Sequence, residues 1–215
     1  MHDLIAKTAA YVREALNGAE AGHDWWHIQR VWNNARAIGA GEQVDMMVVE
    51  VAALLHDIAD SKFHGGDEEA GPRKAEEFLA SAGAAPELIL HVVQIIRNMS
   101  FKASLGTVDF HSPELGVVQD ADRLDAIGAI GIARAFTYGG FKNRELYDPG
   151  LPPNLQMTRE EYKSSTAPTI NHFYEKLLLL KDKMNTETGK RIAEGRHRVM
   201  EQYLEQFYAE WEGIR

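Results

Sequence analysis

The sequence predicts an all-α fold, and three observations carry that expectation. Apolar residues recur three and four apart along nearly the whole 215-residue chain, no run of period-two alternation interrupts them, and neither an internal repeat nor a low-complexity tract breaks the pattern. One helical domain spanning residues 1–215 is therefore expected, with a core at about 20–140, a loop at about 139–157 and a C-terminal helical hairpin at about 168–213. The opening MHDLIAKTAAYVREAL mixes acid, base and apolar residues at helical spacing, unlike the apolar stretch of a signal peptide. Next, GHDWWHIQRV places His27 and Arg30 three apart on one helical face, with His23 one turn before His27. Asp45 has the character of an N-cap for a helix through Val48, Val49, Val51, Ala52, Leu54 and Leu55, a face apolar enough to be central. Gly65 and Gly66 mark a flexible turn beyond it. Pro86, at a first helical position, opens a buried helix through Leu88, Ile89, Leu90, Val92, Val93, Ile95 and Ile96.

Ser112, Pro113 and Glu114 start a further helix with Val117, Val118, Leu124 and Ile127, in which Gly128 and Gly131 permit close approach. Residues 139–157, rich in Gly and Pro, read as a long loop and candidate lid. Pro168 then begins a helix whose Phe173, Leu177, Leu180 and Met184 step by four, three and four, followed by a last helix with Val199, Tyr203 and Phe207.

Composition narrows the chemistry. At 45% hydrophobic and 26% charged residues the chain belongs with soluble globular proteins, and no stretch approaches the roughly 18 apolar residues of a membrane span. A cytoplasmic protein without membrane association is expected. The absence of cysteine excludes disulfides and thiolate metal sites, leaving nitrogen and oxygen ligands. With 23 basic against 32 acidic residues, a formal charge of -9 gives no general grip on a nucleic-acid polymer, although a small anionic substrate is compatible with a cation in the site.

The informative word is HDIAD at 56–60, because an apolar helix does not end its buried face with an imidazole beside a carboxylate unless both have partners. Adjacent helical side chains diverge by about 100 degrees, so His56 and Asp57 reach one ion best at a helix end. In QDADRLDA, Asp122 and Asp125 share a face. His27, His56, Asp57 and Asp122 are thus expected to meet from three helices as an N2O2 set suited to Mn, Fe, Ni, Co, Zn or Mg. A zincin would need Glu after His23, where the sequence has Asp24, a residue suited to capping a helix or orienting a ligating His.

The order H…HD…D, within GHDWWHIQRVW, VAALLHDIAD and VVQDADRLDAIGAIGIARAF, resembles the HD-domain superfamily of metal-dependent phosphohydrolases over about residues 20–140. The tail INHFYEKLLLLKDKMNTETGKRIAEGR is similar to the C-terminal extension of a bacterial subfamily of small stand-alone members. The resemblance implies an HD-type helical fold with a divalent ion at His27, His56, Asp57 and Asp122, and attack of a metal-bound water on phosphorus. Asp60, one turn beyond Asp57, holds the position of the proton carrier in nucleotidase members. The dinuclear cyclic-dinucleotide phosphodiesterases carry a GYP word that is missing here, and Asn98 stands where some relatives have His, while His64, His91 and His111 leave a second metal open.

For substrate phosphates the candidate cations are Arg30, Lys62, Arg97, Lys102 and Arg123, with Arg30 and Lys62 foremost and Lys62 also a candidate in catalysis. Trp25, Trp26, Phe101 and Tyr138 are aromatic enough to stack on a base, but aromatics at helical spacing are more often core, so no base pocket is assigned. The expected substrate is a small phosphorylated molecule of nucleotide class, either a nucleoside triphosphate cleaved to pyrophosphate or a nucleoside monophosphate, with a slight preference for the anhydride. Monomer and homodimer both remain open. The alternatives are a non-catalytic metal-dependent nucleotide sensor or scaffold, and a metal-free helical interaction protein.

Overall fold

A computed structural model describes residues 2–18, 24–59, 67–99, 110–158, 161 and 164–214, and it is all-α, with no strand among the described residues. Two compact units emerge: residues 1–122 with 185–189, and residues 123–184 with 190–215. Among the described residues no helix is long and apolar enough to cross a membrane.

The first unit is organised around α3 (Met46–Leu55), which buries Val48, Val49 and all of Val51 to Leu55. A helix with so wide an apolar surface has to be covered from several sides. Accordingly α1 (His2–Ala15), α2 (Trp25–Gly39) and α5 (Pro86–Asn98) all pack on it, and α4 (Ala70–Ser81) pairs with α5. The Asp45 side chain accepts from Met47 N–H at 2.8 Å, and Pro86 stands at the start of α5, so both expected start signals hold. The periodicity did not single out α4, whose first turn contains Gly71 and Pro72. Pro is tolerated there because first-turn N–H groups have no intrahelical acceptor. Ser112 Oγ caps α6 (Pro113–Asp125) by accepting from Leu115 N–H at 3.1 Å.

The helix expected to continue through Gly128 and Gly131 is broken. Gly128 has φ +74, a left-handed conformation in which a Cβ would lie 2.9 Å from Arg196 Cβ, and α7 (Gly128–Phe141) starts anew there. Gly131 is required because its Cβ would strike the Ala126 carbonyl oxygen.

In the second unit α7 runs past Gly139 and Gly140 to Phe141, so the loop begins three residues later than expected. It is tied down along its length: Thr169 N–H donates to the Glu145 carbonyl at 2.9 Å, the Asn171 amide to the Leu151 carbonyl at 2.9 Å, and the Tyr147 ring meets Phe207, Tyr208 and Trp211. The segment expected as one helix from Pro168 is α8 (Thr169–Glu175), a break at Lys176 and a 3-10 helix Leu177–Lys183, with Met184 extended. Buried Leu177 and Leu180 lie three apart, a spacing that a 3-10 turn satisfies as well as an α-turn. The last helix, α9 (Glu187–Trp211), buries Met200 and Leu204, and Tyr203 stacks on Phe173, whereas Val199 is exposed.

Candidate metal centre

Three local devices bring the candidate ligands together, all in the first unit. Asp24 is the N-cap of α2: its carboxylate accepts from His27 N–H at 2.9 Å, fixing the first turn that carries the buried His27. His56 is the residue on which α3 ends. Its Nδ1 lies 2.9 Å from the Ala53 carbonyl, whose expected helical donor would be Asp57 N–H. Since a carbonyl only accepts, Nδ1 is the donor, and Nε2 is the nitrogen turned toward the other candidate ligands. The chain then tightens, with Ile58 N–H donating to Leu55 at 3.1 Å, and the following turn carries Asp57. The third device was not foreseen: Asn34, two turns beyond His27, donates its amide to the Ala121 carbonyl at 3.1 Å and so clamps α2 to α6 one residue before Asp122. A polar residue at i+7 from His27 was the available signal.

One donor atom from each of His27, His56 and Asp57 lies within 4.8 Å of the others, the one such group of three or more among the described residues. Asp122 Oδ1 lies 3.6 Å from His27 Nε2 and 4.0 Å from His56 Nε2, too far for hydrogen bonds. Ligand bonds of about 2.0 to 2.2 Å put donor atoms roughly 3 to 4.4 Å apart around one ion. The 3.6 and 4.0 Å separations of Asp122 Oδ1 from the two Nε2 atoms fall within that range. The histidine rings meet edge to face at 5.5 Å, with both side chains almost fully buried, while the Asp122 side chain is 45% exposed. The donor set and its spacing therefore fit a divalent ion held on one side and open toward solvent on Asp122's.

Of the substrate cations, Arg30 is half-buried on α2, one turn from His27. Arg97 is committed elsewhere: its guanidinium grips Glu69 through Nε at 2.9 Å and Nη2 at 2.7 Å, and this hydrogen bonding holds the Glu69 carboxyl below its ordinary range. Arg123 donates to the Lys183 carbonyl at 2.7 Å. Trp26 is exposed and Trp25 sits under Arg13. His91 Nε2 is 3.0 Å from Ser112 Oγ and 3.5 Å from Glu114. Asp60, Lys62 and Lys102, with His23, His64 and Phe101, lie outside the described residues.

An all-α fold bearing a His, His-Asp and Asp cluster on three helices defines a class, and the chain belongs to it: the HD domain profile matches residues 25–127, which span all four candidate ligands. Along nearly its full length the chain is also similar to YpgQ of Bacillus subtilis strain 168, an uncharacterized protein, at 39% identity over 206 residues covering 95% of this chain and 92% of YpgQ. An HD-superfamily hydrolase from Bacillus thuringiensis is 45% identical with a TM-score of 0.80, covering 99% of this chain and 98% of that one. YpgQ in complex with ADP gives a TM-score of 0.76 at 38% identity, covering 98% and 96%.

Proposed function

We propose that this chain is a metal-dependent phosphohydrolase of nucleotides, releasing pyrophosphate from a nucleoside triphosphate. The observation that supports the reading best is the approach of two imidazole Nε2 atoms to Asp122 Oδ1 at 3.6 and 4.0 Å, beyond hydrogen-bond reach and at the spacing of donors around one cation. His27, His56, Asp57 and Asp122 would hold a divalent ion, Mn, Mg, Co, Ni, Fe or Zn, which when bound supplies an activated water and draws charge from the phosphoryl oxygens. The Ala53 carbonyl keeps the His56 ring in its tautomer, and the Asn34 clamp sets the spacing of His27 and Asp122. Arg30, on the His27 helix, is assigned to a phosphate oxygen by fork geometry, with Lys62. Arg97, already paired with Glu69, is not given that role. Asp60 is assigned to carry the proton between water and leaving oxygen.

Nucleotides are favoured as the substrate class because YpgQ, 38% identical over 98% of this chain, binds ADP. The test is release of phosphate and of pyrophosphate from nucleoside mono- and triphosphates, with each divalent ion added to metal-stripped protein. Pyrophosphate release dependent on the ion supports the reading. Phosphate release from monophosphates alone moves the reaction to the ester, and nucleotide binding without release of either leaves a sensor.

A further inference from the structure

The end of α7 carries a second feature, within the other unit, that the metal centre does not use. Asn143 at φ +53 ends the helix in a left-handed turn, with Asn143 N–H donating to the Gly140 carbonyl at 3.1 Å and Arg144 N–H to the Gly139 carbonyl at 2.9 Å. This reversal folds the chain so that both neighbours of Asn143 return over the preceding turn. Lys142 Nζ comes 5.7 Å from the Tyr138 ring centroid and 5.0 Å from that of Phe141, and the Arg144 guanidinium comes 5.5 Å from Tyr138. Two full cations thus converge on one half-exposed ring.

The chain has 32 acidic residues against 23 basic ones, yet among the described residues no carboxylate pairs with Lys142 or Arg144. A helix C-terminus contributes only about half a negative charge, and the quadrupole of one ring adds a weak attraction for cations. Arg144 is nonetheless held in place, because Nη2 donates to the Ser165 carbonyl at 2.5 Å, its one hydrogen bond through the side chain among the described residues. The charge of Arg144 also reaches His172, an imidazole kept neutral down to about pH 4 by burial first and then by Lys176 and Arg144. A ring already engaged by two cations is a poor stacking platform for a base, so recognition here is by charge. Lys142 supplies a mobile ammonium and Arg144 an anchored planar fork, the pair of donors suited to a phosphate bearing several charges.

We propose that Lys142 and Arg144, aligned on Tyr138, form an anion site for a multiply charged phosphate group. The site takes either inorganic pyrophosphate or the phosphate tail of a nucleotide. The site shares no residue with the metal centre, and with the metal chelated the two readings fail separately. The full chain in excess EDTA is titrated calorimetrically at low salt with inorganic pyrophosphate and, in a second arm, with ADP. One pyrophosphate per chain is expected, weakened about tenfold or more in Lys142→Gln and Arg144→Gln and further in the double variant, with Arg144→Lys intermediate.

Lys142 is exposed and, among the described residues, makes no hydrogen bond through its side chain, so Lys142→Gln reports on the site even if Arg144→Gln, which also loses the Ser165 contact, fails to fold. Equal losses in both arms mean that the phosphate group alone is recognised, and losses confined to ADP assign the site to a nucleotide tail. Absence of binding in both arms, or binding unchanged in Lys142→Gln and the double variant, overturns the proposal.

Discussion

His56 joins helix termination and chemistry in one side chain. Its Nδ1 donates to the Ala53 carbonyl at the end of α3, and that bond turns Nε2 toward His27 and Asp122. Replacement by Ala removes a ligand and leaves the Ala53 carbonyl short of a donor. His56→Ala and Asp57→Ala are therefore both expected to lower metal affinity roughly a hundredfold or more and to lose the thermal stabilisation that added metal gives the native chain. Metal analysis and melting curves on the same samples check this, and full metal content in either variant removes that residue from the ligand set. Asp60→Asn is expected to behave oppositely: it keeps the size and hydrogen-bonding capacity of the side chain but not its basicity, so metal is retained while turnover falls about a hundredfold at little changed substrate affinity. Near-normal turnover would end the proton-carrier role, and loss of metal would make Asp60 a ligand.

At the scale of elements, α7 depends on two glycines for different reasons. Gly128 supplies a backbone angle, and Gly131 supplies space beside the Ala126 carbonyl. Gly131→Ala would improve helix propensity by up to about 1 kcal/mol, but the steric conflict is with backbone, which cannot rotate away, so a net loss of about 1 to 3 kcal/mol is expected. Urea unfolding checks the sign, and a stabilised variant would show that the turn at Ala126 yields.

These glycines also show where sequence periodicity stops. The pattern at Val117, Val118, Leu124 and Ile127 reads correctly as buried, but it carries no information on backbone sign, and so the break at Gly128 was invisible. The steps through Phe173, Leu177, Leu180 and Met184 gave the buried face and misjudged the helix type, since i,i+3 serves both. The grouping of His27 with His56 and Asp57 was legible because a buried polar pair at the end of α3 demands partners. The Asn34 clamp and the Glu69 grip on Arg97 were not legible, because both depend on which faces of different helices meet.

At the scale of the molecule, the two units carry separate sensitivities. The candidate metal ligands all belong to the first, joining α2, the end of α3 and α6, so chelation is expected to reduce hydrogen-exchange protection in those helices and leave α7 and α8 largely unchanged. Uniform loss of protection would mean that the units open together. Acid acts on the second unit through His172, whose pKa is lowered from 6.5 to about 4 by burial, Lys176 and Arg144. Above pH 6.5 the imidazole is neutral in the folded and unfolded chain alike and contributes no pH dependence. Between 6.5 and about 4 the unfolded chain binds a proton that the folded chain refuses, so stability falls as pH falls, by an amount on the order of 3 kcal/mol once pH 4 is reached. Below about 4 both states are protonated and this contribution levels off. Carboxylates titrate in the same range, so the informative quantity is the difference between the native chain and His172→Asn, a variant that cannot take up the proton. Chemical unfolding at pH 7 and pH 4.5 is expected to show a smaller acid loss in His172→Asn, and equal losses would mean that His172 reaches a proton in the folded state.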